Sequence, residues 1–165
     1  EANINMVGLF SLIPAIKDEV SIPVVATGGI SDSRGIVAAL ILGASAVQMG
    51  TGFLRSPEAG IAKEWADAIG NTNPEDTVTS HVFSGRLGRS VRNKYTIAAT
   101  SSQAPNPAPY PIQRNLTQAM RENAAKLNNL DSMQAWTGQS AKLALAMPAK
   151  DIVIKLWNDA LSILD

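Results

Sequence analysis

The sequence predicts an α/β fold built around a pair of parallel strands, and three observations carry that prediction. Residues 9–69 alternate in the order helix, strand, helix, strand, helix. Both strand patterns are short and continuously apolar, as in parallel strands that are buried on both faces. The helical segment between them forms a βαβ crossover, which implies parallel strands and a right-handed connection.

The first helix and strand lie within residues 7–27. Apolar residues spaced three and four apart over residues 7–20 predict the helix. We place its start near Ser11 or Leu12, so that Pro14 falls in the first turn. The run of β-branched residues over 22–27 predicts the first strand.

The next elements are a helix over residues 31–42 and a second strand over 44–49. Ser31 or Asp32 is a suitable N-cap for that helix, and Gly43 is a suitable stop. A third helix is predicted from Ser56 to Ile69, because a capping hydroxyl is followed by Pro and then by an acid.

Beyond Gly70 the alternation fails and the prediction becomes mixed. A Pro-rich connector without regular structure covers residues 100–111. The other predicted elements are a strand over 77–83, a loop over 84–90, and helices over 92–99, 112–127, 139–147 and 149–164.

Composition excludes several classes of function. The 165 residues carry 14 basic and 14 acidic side chains and no cysteine. A net charge of zero argues against nucleic acid or an anionic membrane as a partner, and the absence of cysteine excludes disulfides and thiolate chemistry. No membrane span, signal peptide or metal-ligand spacing is apparent.

Two glycine-rich junctions follow the two strands, Gly28-Gly29 and Gly50-Thr51-Gly52, and Gly29 and Gly50 are 21 positions apart. A Gly-Gly pair after a strand is by itself usually a tight turn. The carboxyl ends of neighbouring parallel strands meet at one edge, however, and backbone N–H groups in such loops bind phosphate. The paired junctions therefore favour a phosphate site, which (β/α)₈ barrels commonly build after their last two strands.

The stretch PVVATGGISDSRGIVAALILGASAVQMGTGFLRSPEA resembles the flavin phosphate region of nitronate monooxygenases, formerly called 2-nitropropane dioxygenases. The FMN-dependent enoyl-acyl carrier protein reductases share this pattern. The resemblance continues through FSGRLGRSVRN, a YP followed by a helix, and WTGQSAKLA, so it covers nearly the whole chain.

The resemblance implies FMN-dependent oxidation of alkyl nitronates by dioxygen, in the C-terminal portion of an FMN-binding TIM barrel with a small, mainly helical domain. The expected parts are the last two βα units with the phosphate loops (1–60), the smaller helical domain (61–123) and helices returning to the barrel (124–165). The expected FMN phosphate contacts are Gly28, Gly29, Gln48, Met49, Gly50 and Thr51.

The family's catalytic histidine is expected upstream of these loops, and the chain shows no match to it. His81 is the only histidine and follows both loops, so we interpret it as structural. We therefore expect a missing N-terminal barrel segment, no catalytic residue in this chain, a cytoplasmic location and a possible homodimer. A barrel needs about 250 residues.

Several interpretations stay open. The basic stretch Arg86 to Lys94 fits a solvated loop better than a phosphate contact, and Tyr95 and Tyr110 are candidates for a substrate entrance. The tryptophans Trp65, Trp136 and Trp157 are predicted to pack in the core. The alternatives to the oxidase are an FMN-dependent enoyl reductase, a non-catalytic phosphate-binding or oligomerisation module, and a barrel that binds a different phosphate ligand.

Overall fold

The computed structural model describes residues 6–165, and the chain divides into two units. The first unit contains the described residues up to Ala59 together with Leu143–Asp165, and the second unit is Gly60–Lys142. Both units combine helices with a two-stranded sheet, so the predicted α/β class is confirmed. Glu1-Ala2, which resembles the start of the loop that carries the family's histidine, lies outside the described residues.

The first unit is built on a parallel pair of strands, β1 and β2, as the crossover pattern predicts. Its elements in chain order are α1 (Leu9–Glu19), β1 (Val25–Thr27), α2 (Ser33–Ile41), β2 (Ala46–Gln48) and α7 (Ala149–Leu164). The last of these confirms the terminal helix predicted over residues 149–164.

The core of the first unit forms where α2 and α7 pack together. Ile152 and Ala160 of α7 are fully buried, and Ile36 of α2 is 4% exposed in the same cluster. Glu58 supports the start of α7, since both of its carboxylate oxygens accept from the backbone N–H of Ala149 at 3.1 Å. A carboxylate at a helix N-terminus is favourable because it faces the positive end of the helix dipole.

Three details of the first unit differ from the prediction. Helix α1 begins at Leu9, so Pro14 lies inside it and not in its first turn. Both strands are three residues long, shorter than predicted. Burial on both faces is also wrong for β1 in this chain, because Ala26 is buried while Val25 is 53% exposed. The helices of this unit cover only one face of a two-stranded sheet.

The third predicted helix is interrupted near its start. Residues Pro57–Ala59 form a short 3-10 turn, and α3 covers Lys63–Asn71. Gly60 lies between them with φ +60°. A residue in the left-handed region cannot continue a right-handed helix, so the capping signal at Ser56 starts only one turn.

The second unit contains an antiparallel pair, β3 (Thr77–Ser80) and β4 (Gly88–Val91). The strand predicted over 77–83 is thus shorter than expected, and the loop predicted over 84–90 is partly wrong because its second half forms β4. Thr77 pairs with Val91, and Ser80 pairs with Gly88. The hydrogen bonds of this pairing form β4, and the local sequence does not predict them because they join two separate segments.

The helices of the second unit include α4, which confirms the short helix predicted near residues 92–99. The helix predicted over 112–127 is divided in two at Thr117. The helices are α3, α4 (Lys94–Ala99), α5 (Ile112–Leu116) and α6 (Gln118–Lys126). The helix predicted over 139–147 is wrong, since only a 3-10 turn, Ala141–Leu143, forms there.

The second unit extends beyond the segment 61–123 that the resemblance implies for the smaller domain, to Lys142. The hydrogen bonds of buried Asn93 explain why residues after 123 belong to the second unit. Its Nδ2 donates to the carbonyl oxygens of Leu130 at 2.8 Å and Met133 at 2.9 Å. The N–H of Val91 also donates to the carbonyl of Ala135 at 2.9 Å, so this segment is bonded to β4 and α4.

The tryptophans are less uniformly buried than predicted. Trp65 and Trp136 are partly buried, and the indole N–H of Trp65 donates to the carbonyl of Trp136 at 3.0 Å. Trp157 on α7 is 49% exposed, so the prediction that it packs in the core is wrong for this chain. His81 is exposed in the turn after β3. No helix in the described part of the chain is long and apolar enough to cross a membrane.

Tyr95 of α4 is expected to make stability depend on alkaline pH. Burial raises the pKa of its phenol, and a hydrogen bond with Gln113 lowers it by less. The unfolded chain therefore ionises first, near pH 10, and the stability that the protonated phenol contributes is lost as pH rises through the raised folded pKa. Tyr95→Phe should reduce this loss of stability at alkaline pH. Urea unfolding from about pH 8 to about pH 11, on either side of the reference pKa of tyrosine, measures the difference.

At neutral pH the same variant should cost about 1 kcal/mol or less. The carbonyl oxygen of Val82 accepts from the Tyr95 hydroxyl at 2.9 Å and also from Gln113 Nε2 at 2.7 Å, so one donor remains in Tyr95→Phe. Parallel stability curves for the wild type and the variant above pH 10 (the reference value for tyrosine) would contradict the assignment.

Candidate functional site

The two predicted phosphate loops start side by side. The parallel register pairs Thr27 with Gln48, so β1 and β2 end at the same level. The hydroxyl of Thr27 donates to the carbonyl oxygen of Gln48 at 3.1 Å and ties the two strand ends together. The structure thus brings the predicted Gly28-Gly29 and Gln48–Thr51 segments together at one edge of the sheet, which periodicity alone does not establish.

The first loop depends on its glycines for its conformation. Gly28 has φ +104° and Gly29 has φ +71°, both in the region that favours glycine. No heavy atom lies within 4 Å of the position that a Cβ would occupy at either residue. The pair is thus a turn that needs glycine, and open space lies in front of it.

The second loop has a different geometry. Gly50 has φ −101°, which any residue can adopt, so its backbone conformation does not require glycine. Here too no heavy atom lies within 4 Å of a built Cβ. A side chain at Gly50 would therefore occupy the space in front of the loop without straining the backbone. A ligand would approach the backbone through that space.

The two junctions come close together at Ser31 and Gly52. A Cβ built on Gly52 would lie 3.5 Å from the hydroxyl oxygen of Ser31, and both residues are buried. Met49 directs its side chain toward the hydrophobic cluster of the first unit. At Met49, therefore, only the main chain of the second loop can face a ligand.

The N-terminus of α2 is already occupied by a side chain. Asp32 is its N-cap, and its Oδ1 accepts from the backbone N–H of Gly35 at 2.9 Å. The guanidinium of Arg34 donates to Oδ2 of the same carboxylate at 2.7 Å. Because this carboxylate uses the positive end of the helix dipole, the N-terminus of α2 is not open to a phosphate, and the glycine loops remain the candidate. The sequence suggests Asp32 only as one of two possible N-caps of α2. The spacing of three residues between Asp32 and Gly35 is the signal that could have identified it as the cap.

The geometry fits the phosphate end of a nucleotide-like cofactor. Among the described residues, none accepts a hydrogen bond from the N–H of Gly28, Gly29 or Gly50. Such backbone donors, grouped where no Cβ intervenes, suit a phosphate group. Within residues 6–165 no three His, Cys, Asp or Glu side chains are grouped to hold a metal ion.

Comparison with known proteins identifies a family for this chain. The chain matches the family model described as nitronate monooxygenase over residues 1–159. It is 43% identical over 153 residues to a probable nitronate monooxygenase of Staphylococcus aureus strain MSSA476, and the match covers 93% of this chain. It covers only 43% of that relative, so the chain spans less than half the length of the curated relatives it matches.

Solved structures show the same fold. The chain is similar to the nitroalkane oxidase of Streptomyces ansochromogenes, with a TM-score of 0.84 and 33% identity over 96% of this chain and 46% of that one. It is also similar to FabK from Thermotoga maritima, with a TM-score of 0.82 and 30% identity over 97% of this chain and 51% of that one. Since the family model matches almost the entire chain, this chain belongs to the nitronate monooxygenase family.

Proposed function

We propose that the protein containing this chain oxidises alkyl nitronates with dioxygen, using FMN, and that this chain anchors the FMN phosphate. The observation that carries the proposal is the pair of glycine loops held side by side at the ends of β1 and β2. Family membership supports an oxidoreductase, and the open space at Gly28, Gly29 and Gly50 supports a phosphate ligand there.

The residues of this chain have a binding role. The main-chain N–H groups of Gly28, Gly29 and Gly50 donate to the phosphate, together with the main chain of Gln48, Met49 and Thr51. When bound, FMN supplies the redox chemistry, taking electrons from the nitronate and passing them to dioxygen. The chain positions the phosphate end of the cofactor, and the family resemblance assigns the proton chemistry to a histidine that is not in this chain.

The parallel strands are proposed to be the last two of a TIM barrel. A barrel closes with eight strands, and β1 and β2 supply only two. Apolar side chains such as Val25 (53% exposed) and Ile41 (73% exposed) are then available to pack against the preceding barrel segment. Residues 1–60 would supply the final βα units, 61–123 the smaller helical domain, and 124–165 the helices that return to the barrel. In the structure, residues 124–142 lie in the second unit.

Anaerobic reduction of the flavin tests the reaction. The full-length protein, purified with FMN, is mixed without oxygen either with propyl-2-nitronate or with NADH, and the flavin absorbance is followed. We expect the nitronate to bleach the flavin rapidly and dioxygen to restore the absorbance. Rapid bleaching by NADH with none by the nitronate would favour the reductase alternative. A colourless protein that does not bind added FMN would contradict both enzymatic functions and favour a non-catalytic module.

A further inference from the structure

A cleft of about 260 Å³ in the second unit has the properties of an anion site. It lies between the turn that joins β3 to β4, the residues around the start of α5, and the segment that contains Gln134 and Trp136. Its lining residues are Ser84, Arg86, Tyr110, Arg114, Gln134 and Trp136. The basic stretch that the sequence suggests is a solvated loop thus contributes Arg86 to a concave surface.

The polar groups of the cleft are predominantly donors, and two of them carry a positive charge. Arg86 and Arg114 have guanidinium groups, and no Asp or Glu lies among the lining residues. Within residues 6–165 neither arginine forms an ion pair, whereas Arg34, Lys63, Lys94 and Lys155 do. The charge of this cleft is therefore not neutralised by the described part of the chain.

Hydrogen bonds from Arg121 fix part of the lining before any ligand binds. Arg121 donates to the side chain of Gln134 at 3.1 Å, and because an arginine only donates, the atom it contacts is the amide oxygen. The amide nitrogen of Gln134, which is one of the lining residues, is then the group left to donate. Arg121 also donates to the carbonyl of Arg114 at 3.0 Å, which fixes the backbone beneath that residue.

The remaining walls are flat and aromatic. The guanidinium carbon of Arg86 lies 3.9 Å from the ring centroid of Tyr110, a cation–π contact that orients this arginine. The indole of Trp136 is held against β4, since a Cβ on Gly88 would lie 2.5 Å from its Cζ3. It also packs edge-on against Phe83 at 5.7 Å between centroids, so it presents a rigid surface.

We propose that this cleft binds a small organic carboxylate whose body is planar and apolar. The carboxylate accepts from the guanidinium groups of Arg86 and Arg114 and from the amide of Gln134, and the planar body lies against Trp136. Planar guanidinium groups match a carboxylate, with two donors for two oxygens. The cleft is slightly below the usual size of drug-sized ligand pockets, about 300–1,000 Å³, which favours a ligand of one ring.

Benzoate is the probe, and the full-length protein with its cofactor is titrated by calorimetry. We expect Arg114→Gln to weaken benzoate binding at least about tenfold, the loss of one charged hydrogen bond. The Arg114 side chain makes no hydrogen bond with any described residue, so this variant should fold normally, as thermal unfolding will check. Arg92→Gln removes one charge from an exposed position of the same unit outside the cleft, and its affinity should stay within about twofold of the wild type.

Two further probes separate charge from shape. Benzamide has nearly the same shape without the charge and should not bind detectably. Inorganic phosphate has the charge without the ring, and should bind more weakly than benzoate. The proposal is overturned if Arg114→Gln binds benzoate like the wild type, if benzamide binds as well as benzoate, or if phosphate binds while benzoate does not. The titration needs no turnover, so its result is independent of the proposed reaction.

Discussion

Gly29→Ala is expected to lower the affinity for FMN about 10- to 100-fold. A methyl group at this position enters the open space in front of the first loop and keeps the phosphate from the main-chain N–H groups. Losing one hydrogen bond to a charged group costs about 1.5–3 kcal/mol, which corresponds to that range of affinity. The measurement is titration of the full-length apoprotein with FMN, followed by quenching of flavin fluorescence.

The chain offers a matched control in Gly60→Ala. Gly60 has φ +60°, close to the +71° of Gly29, and nothing lies within 4 Å of its built Cβ either. Both variants should therefore lose about 1–2 kcal/mol of stability for placing alanine in the left-handed region. Only Gly29→Ala should lose FMN affinity, and equal affinities in the two variants would refute the assignment of the loop.

Gly50→Ala separates the ligand effect from backbone strain altogether. With φ −101° and open space around a built Cβ, alanine at this position should leave the unfolding free energy unchanged within about 0.5 kcal/mol. Its FMN affinity should nevertheless fall, because the Cβ lies where the phosphate approaches. Wild-type affinity in Gly50→Ala would show that the second loop does not contact the phosphate.

Gly85→Ala should be the most destabilising of the single changes considered, with a cost of about 2–5 kcal/mol. Gly85 has φ +83°, so alanine is strained there. A Cβ would also collide with the backbone N of Tyr110 and lie 2.6 Å from the carbonyl oxygen of Ala108. Main-chain atoms cannot rotate aside as a flexible side chain does, so the Pro-rich connector must move.

Urea unfolding followed by tryptophan fluorescence measures this cost. The comparison with Gly60→Ala isolates the collision, because that variant has the positive φ without the neighbouring backbone. A Gly85→Ala protein as stable as Gly60→Ala would mean that the connector moves at little cost. A much less stable one would establish that residues 108–110 are held close to the β3–β4 turn by packing on Gly85.

Local sequence signals determined the parts of the fold that are governed by neighbours along the chain. The apolar stripe over residues 149–164 predicts α7 because helix contacts repeat every three or four residues. The order of the first five elements predicts parallel strands, because a βαβ crossover leaves little choice of direction. The Gly28-Gly29 pair marks the first loop, since residues other than glycine rarely adopt the positive φ that both positions have.

Signals of the same kind placed some elements wrongly, in most cases because contacts with distant residues decide which structure forms there. Ser56-Pro57-Glu58 reads as a helix start, yet the backbone at Gly60 turns left-handed after a single turn. Residues 84–90 read as a loop, yet β4 forms because its strand pairs with β3 and bridges Trp136 at Ser90. The extension of the second unit to residue 142 depends on hydrogen bonds from Asn93, 37 and 40 positions away in sequence.

The amino-acid sequence was enough to name the family resemblance, the parallel strands and the glycines of the two loops that follow them, because each depends on residues close together in the chain. Tertiary structure alone decided that the two loops start at one level, that Asp32 occupies the start of α2, and that Arg86 and Arg114 line one cleft with Trp136. These depend on which distant segments pack together, and a side chain's partners in space leave no local periodicity to read.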